Sequence, residues 1–194
     1  MMPTLMDGDY VVVSKSLYGS RLPRSLYEVP WLRYLTYMYP ISLLEYDSKK
    51  EYKRLYSINQ VQLGDVIVFN NPVYQNFLGV KRCSLIPGDT IIINNIINII
   101  PSIRQQVFLN EDSLSIVKRR ILQNYYLLPL DSNTPFVFTH SYYYVLGDNQ
   151  DHSTDSRVWG ALQDDHIIGK VCIILFSKSR ERKIRWERFL KRVS

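Results

Sequence analysis

The residues whose types and spacing suit chemistry fall in four short polar-and-glycine segments: MMPTLMDGD at 1–9, GDVIVFNNP at 64–72, VKRCSLIPGD at 80–89 and GDNQDHSTDSRVWG at 147–160. The fourth sets His152, Ser153 and Asp155 close together, which invites a Ser-His-Asp reading. Adjacent residues on a strand point to opposite faces, so His152 is assigned no catalytic role. The third segment holds Lys81. A lysine amine has a pKa of about 10.4, and a base acting near neutrality needs it lowered to about 7–8, a shift of ~4 kcal/mol in disfavoured charge. Burial among apolar groups produces such a shift, and Phe77, Leu78 and Val80 are the apolar neighbours at hand. Asp155 and Arg157 stand two apart, on one side of an extended segment.

Other chemistries lack their motifs. No GxSxG elbow, HExxH, GxxxxGK[ST] or GxGxxG occurs, which removes the common hydrolase, zinc-protease and nucleotide-binding readings. The two cysteines, Cys83 and Cys172, form no CxxC, and His140, His152 and His166 are scattered. The expectation is free buried thiols, no metal and no cofactor.

In their order and separation, the four segments resemble the bacterial type I signal peptidases, or leader peptidases, of the S26 serine protease family. These are membrane-bound enzymes with a Ser/Lys dyad. The resemblance covers about half the chain, around 1–19, 61–93 and 142–178, and the fourth segment is its most specific part. It implies that Lys81 is the general base, that Ser153 hydrogen-bonds the Lys81 amine, and that Asp155 and Arg157 form an ion pair bracing the loop. It also implies that Met1, Met2, Leu5, Val80 and Thr154 line the groove for an extended signal peptide, bound as an added strand with small side chains before the cleaved bond. Gly79 departs from the pattern, standing where an aromatic ring is frequent, as do Gln150 for a common arginine and His152 for a common asparagine.

The family motif reads Ser-Met-X-Pro-Thr-Leu, and Met1 is its Met. The nucleophilic serine and a membrane anchor are therefore expected upstream of Met1, with the chain N-terminally truncated. The alternative is a catalytically inactive preprotein-binding or membrane-surface module. A self-cleaving repressor protease, which shares the dyad, would need a DNA-binding domain and a scissile dipeptide in its own arm, and neither is visible. The resemblance further implies a monomer at the bacterial cytoplasmic membrane, its catalytic domain on the extracytoplasmic face, acting on signal peptides of exported preproteins.

The elements that must position these residues are mainly β. Alanine occurs once, at Ala161, while Ile, Val and Tyr abound. Strands are expected at Tyr10 to Ser14, Val66 to Phe69, Thr90 to Ile93, Phe136 to Thr139, Tyr142 to Leu146 and Gly169 to Phe176. The pairs Gly8-Asp9, Gly64-Asp65, Gly88-Asp89 and Gly147-Asp148 read as one repeated turn, glycine supplying positive φ and Asp capping its own backbone. The expected architecture is a signal-peptidase-like sheet core (1–93 and 136–178), an inserted β lobe (94–135) and a basic tail with a short helix (179–194). In that helix Trp186, Phe189, Leu190 and Val193 would form one apolar stripe. Net charge is +6, and residues 180–194 hold seven basic and two acidic residues, leaving +1 for the rest. The tail therefore points to a membrane surface rather than to nucleic acid. Trp31, Leu32, Leu35, Met38 and Ile41, within the aromatic stretch 20–60, read as packing or as a membrane-interface contact. The longest apolar run, Val171 to Phe176, is far short of the ~20 residues that span a bilayer.

Overall fold

The computed structural model describes residues 1–23, 29, 53–72, 77–110, 115–126, 131–179 and 181–193. The aromatic positions Trp31 to Ile41 lie outside these residues. Eleven strands and two short α-helices are seen among them. β1 (Asp9–Ser14), β2 (Val66–Asn70), β3 (Leu78–Leu85), β8 (Tyr142–Leu146), β9 (Leu162–Gln163) and β10 (Ile167–Ser177) build an antiparallel sheet in the order β1-β10-β2-β3-β8-β9. β11 (Lys191–Arg192) joins it as a second partner of β10. The expected mainly β class is thus the observed one.

β2 shows why the sheet forms. Its Val-Ile-Val-Phe run is buried on both faces. Ile67 and Phe69 enter a cluster with Cys83, Tyr143, Val145, Trp159 and Leu162. Val66 and Val68 pack on the other face with Val171, Ile174 and Val193, and with Met1, Leu5 and Val80 at its margin. Each such side chain contributes about 1.5–3 kcal/mol on burial.

Between β3 and β8 the chain makes two antiparallel pairs, the hairpin β4 (Thr90–Ile93) with β5 (Ile96–Ile99), and β6 (Gln106–Asn110) with β7 (Asp131–Val137) across a helical connection. Asn94 and Asn95 turn the first pair at φ 51 and 61, the left-handed values a two-residue hairpin requires. The helix α1 (Ile116–Ile121) buries Val117 and Ile121 against Phe138, Tyr142 and Tyr144.

The C-terminal helix is shorter than the apolar stripe requires. It is a single 3-10 turn, Trp186–Arg188, followed by β11. Arg182 and Leu190 take left-handed φ values of 62 and 53, which an α-helix excludes. The stripe is accordingly split: Val193 is buried, whereas Trp186, Phe189 and Leu190 are half exposed or more.

Candidate active site

Lys81 lies mid-strand in β3, between β2 and β8, opposite Ile67. β8 ends at Leu146, and the chain then runs through Gly147 and a 3-10 turn, Gln150–His152, to Ser153 in extended backbone. This route brings the Lys81 amine to 2.5 Å from Ser153 Oγ, donating to it. A side chain on Gly147 would prevent the approach. A Cβ there would stand 2.1 Å from Ser153 Oγ and 3.2 Å from Lys81 Nζ.

Asp155 follows, wholly buried, as the N-cap of α2 (Ser156–Trp159). Its carboxylate accepts the Gly147 and Arg157 backbone amides and both Nε and Nη2 of Arg157, all at 2.9–3.2 Å. Burial opposes its ionisation, but the Arg157 and backbone hydrogen bonds, with one from Ser153, outweigh that and hold the carboxyl below its ordinary value. Burial lowers the Lys81 amine below its ordinary range; the Asp155 charge opposes this and Arg157 reinforces it.

Of the residues expected at the site, Lys81, Ser153, Asp155 and Arg157 converge. Met1, Leu5 and Val80 also meet, but in the cluster on the face that Val80 shares with Val68, across the strand from Lys81. Met2 is 50% exposed and Thr154 is exposed. His152 is exposed in the turn and does not alternate with Ser153 along a strand. Phe69, directly opposite Gly79, lays its ring where a Gly79 side chain would stand. The aromatic group missing from β3 is thus supplied by the neighbouring strand.

Arg82 is the residue whose part the sequence does not reveal. Its guanidinium bonds Asp148 through Nε and Nη2, the Gly64 carbonyl through Nη1 and Thr4 Oγ1 through Nη2, at 2.8–3.1 Å. One side chain of the third segment thereby ties down the other three. Burial opposes ionisation of Asp148, while hydrogen bonds from Arg82 and Thr4 favour it, and its carboxyl is held low. Through Arg82, the first segment is thereby tied at Thr4 to Asp148 in the loop that carries Gly147 and Ser153.

Neither a concavity of about 410 Å³ beside Tyr18 and Tyr143 nor one of about 690 Å³ beside Tyr125 and Trp159 is lined by Lys81 or Ser153. His140, Asp164 and Asp165 bring three potential metal donors within 4.8 Å, at the opposite end of β8 from Gly147. These side chains have partners of their own: His140 Nδ1 lies 2.9 Å from Asp164, and Arg54 faces Asp165 at 3.7 Å. Cys83 and Cys172 are free, and burial pushes the Cys83 thiol up to about 12.

Known proteins share this sequence pattern. The family model for signal peptidase, peptidase S26, matches residues 1–176. Signal peptidase I of Pseudomonas aeruginosa is 25% identical over 201 residues, covering 91% of this chain and 62% of its own length. Signal peptidase I of Rickettsia typhi is 29% identical over 208 residues, covering 96% and 70%. A probable signal peptidase I-1 of Synechocystis is 32% identical over 133 residues, covering 64% and 60%. The chain thus spans about three fifths of the length of the first of these relatives. A signal peptidase I crystal structure from Enterococcus faecalis V583 shares 22% identity over 59% of this chain and 99% of its own, with a TM-score of 0.33.

Proposed function

We propose that this chain, which belongs to the signal peptidase S26 family, is the catalytic domain of a signal peptidase I, a serine endopeptidase that removes signal peptides from exported preproteins. In the complete protein the family's serine would directly precede Met1. That serine attacks the scissile carbonyl while Lys81 takes its proton. Lys81 then protonates the leaving amine, and water, activated by the same amine, resolves the acyl-enzyme. No metal or other cofactor enters this sequence of steps.

The observation that carries the proposal is the hydrogen bond between Lys81 Nζ and Ser153 Oγ, made in a half-buried site that depresses the amine's pKa. A base needs a free lone pair held in one direction, and a fixed hydroxyl that neither carries charge nor swings away supplies that. Asp155 and Arg157 support the assignment by fixing the Ser153 loop. A groove for small apolar side chains is carried over from the family resemblance, while Met1, Leu5 and Val80 themselves pack together in one apolar cluster. The wider proposal is a monomer at the bacterial cytoplasmic membrane, acting on its extracytoplasmic face, with residues 94–135 an inserted lobe and the basic tail against lipid. Among the described residues no helix is long and apolar enough to cross a membrane.

The test is cleavage of a preprotein or a signal-peptide mimic by the protein carrying its upstream segment, read by mass spectrometry. A single cut after small side chains, abolished by Lys81→Met, is expected. Failure to cleave, or cleavage that survives Lys81→Met, refutes the proposal.

A further inference from the structure

We propose that Arg188, in the C-terminal tail, is a positioning residue that fixes the segment Met1–Asp9 on which the nucleophile is carried. This role rests on the attacking serine adjoining Met1, as proposed above. The segment leads into β1 at Asp9, and its one backbone tie toward β10 before that residue, among the described residues, is the Lys178 N–H donating to the Gly8 carbonyl at 2.9 Å. Two turns, Leu5 N–H to Met1 O at 2.9 Å and Asp9 N–H to Met6 O at 3.1 Å, shape it, and side chains reach it from elsewhere.

Arg188 is the most buried of these. It bonds Asp9 through Nε at 3.0 Å and Nη2 at 2.6 Å, with the two side chains only 7% and 2% exposed. The same Nη2 donates to the Thr4 carbonyl at 2.8 Å. Arg82 holds Thr4 from the other side through its hydroxyl. Arg185 adds a bond to the Asp7 carbonyl at 3.1 Å, and Val193 packs in the cluster that includes Met1 and Leu5. The last residues of the chain thus close over its first ones, and Thr4 is gripped by two guanidinium groups. A planar fork can serve a carboxylate and a carbonyl together, which an ammonium on a flexible stem does not reproduce. Burial of Arg188 also explains the tail's shape, since its guanidinium faces the protein while Trp186 and Phe189 face outward.

The substitution that tests this is Arg188→Lys, which keeps a cation for Asp9 and loses the fork. Arg188→Ala, which strands a buried carboxylate, serves as the severe control for stability. In the protein carrying its upstream serine, Arg188→Lys is expected to lower kcat by ~10²-fold, the order of loss for a reacting atom misplaced by about 1 Å. KM and the limb of the pH–rate profile set by Lys81 should stay as in the parent. Amide exchange at Leu5 should quicken. A kcat within about threefold of the parent overturns the inference, as does a loss shared by KM and the pH profile, which would mean general damage. If the parent itself does not cleave, the functional reading fails, and Leu5 exchange decides this inference alone: unchanged protection in Arg188→Lys refutes it.

Discussion

Gly147→Ala tests the site at its tightest point. The added Cβ would lie 2.1 Å from Ser153 Oγ and 2.6 Å from Ser153 Cβ, against an ordinary contact of 3.4–4 Å. Because Cβ clashes as well as Oγ, rotating the serine does not relieve the contact, and the backbone of residues 147–153 must part by more than an ångström. That movement is resisted by the Gly147 N–H bond to buried Asp155. Overpacking of this kind costs about 1–3 kcal/mol, while Gly→Ala returns roughly 0.4–1 kcal/mol through the unfolded chain. A net loss of about 1–2 kcal/mol lowers the melting temperature by roughly 2–8 °C in a domain of this size. Separating Ser153 from Lys81 by that distance should reduce turnover by ~10²-fold. Gly88→Ala separates the two effects. Gly88 has φ +96 and open space where a Cβ would stand, so the substitution strains the backbone without touching Lys81. Calorimetry and peptide hydrolysis on the two variants give the comparison. Gly147→Ala with turnover like that of Gly88→Ala would show that the Lys81–Ser153 contact is not what the chemistry requires.

Lys81→Met should melt higher than the parent at pH 7 while cleaving nothing. The folded amine binds its proton less tightly than the unfolded chain does, so the parent gains stability as pH rises from the lowered folded value to about 10.4. The variant should lose that slope, and a retained slope measured by calorimetry against pH would refute the account. Arg157→Ala should lower the urea midpoint more than Asp155→Asn. The first strands a wholly buried carboxylate; the second keeps an acceptor for the Gly147 amide and leaves a cation that is 39% exposed. The reverse order would be decisive against it. Trp186, 70% exposed and edge-on to Phe189, should shift its emission to the blue on anionic vesicles, and added salt should reverse the shift. Equal response to zwitterionic vesicles, or none after subtraction of a Trp186→Phe control, would exclude the tail as a charge-guided contact.

Strands whose sequence favours a pleated surface are legible. Thr90–Ile93 and Tyr142–Leu146 form with the expected bounds, and β2 and β10 extend the expected runs by one to three residues. β7 ends at Val137, although the expected strand is Phe136 to Thr139. β3, which carries the base, is not legible. Leu-Gly-Val-Lys-Arg-Cys-Ser-Leu has little intrinsic strand preference, and it is extended because β2 and β8 pair with it on both sides. In the tail the spacing of Trp186, Phe189, Leu190 and Val193 suggests a helix. Periodicity of apolar residues cannot register that the group most in need of burial there is an arginine with its carboxylate at Asp9.

The Gly-Asp pairs locate the boundary between what local sequence encodes and what the fold adds. Asp9, Asp65 and Asp89 each accept the amide of the residue three before them, Met6, Gln62 and Ile86, as turn chemistry predicts. Gly8, Gly64 and Gly88 take the left-handed φ values the turn demands. The other half of the device is long-range: Asp9 takes Arg188, Asp65 takes Lys170, and Asp148, which lacks the local bond, takes Arg82. Asp155 completes the set with Arg157. Each of these cations has an anion as its partner. Lys81 bonds a neutral hydroxyl instead. A carboxylate in that place would raise the amine's pKa and hold its proton, so giving the neighbouring cations the carboxylates and Lys81 the serine is the arrangement that leaves one amine able to act as a base.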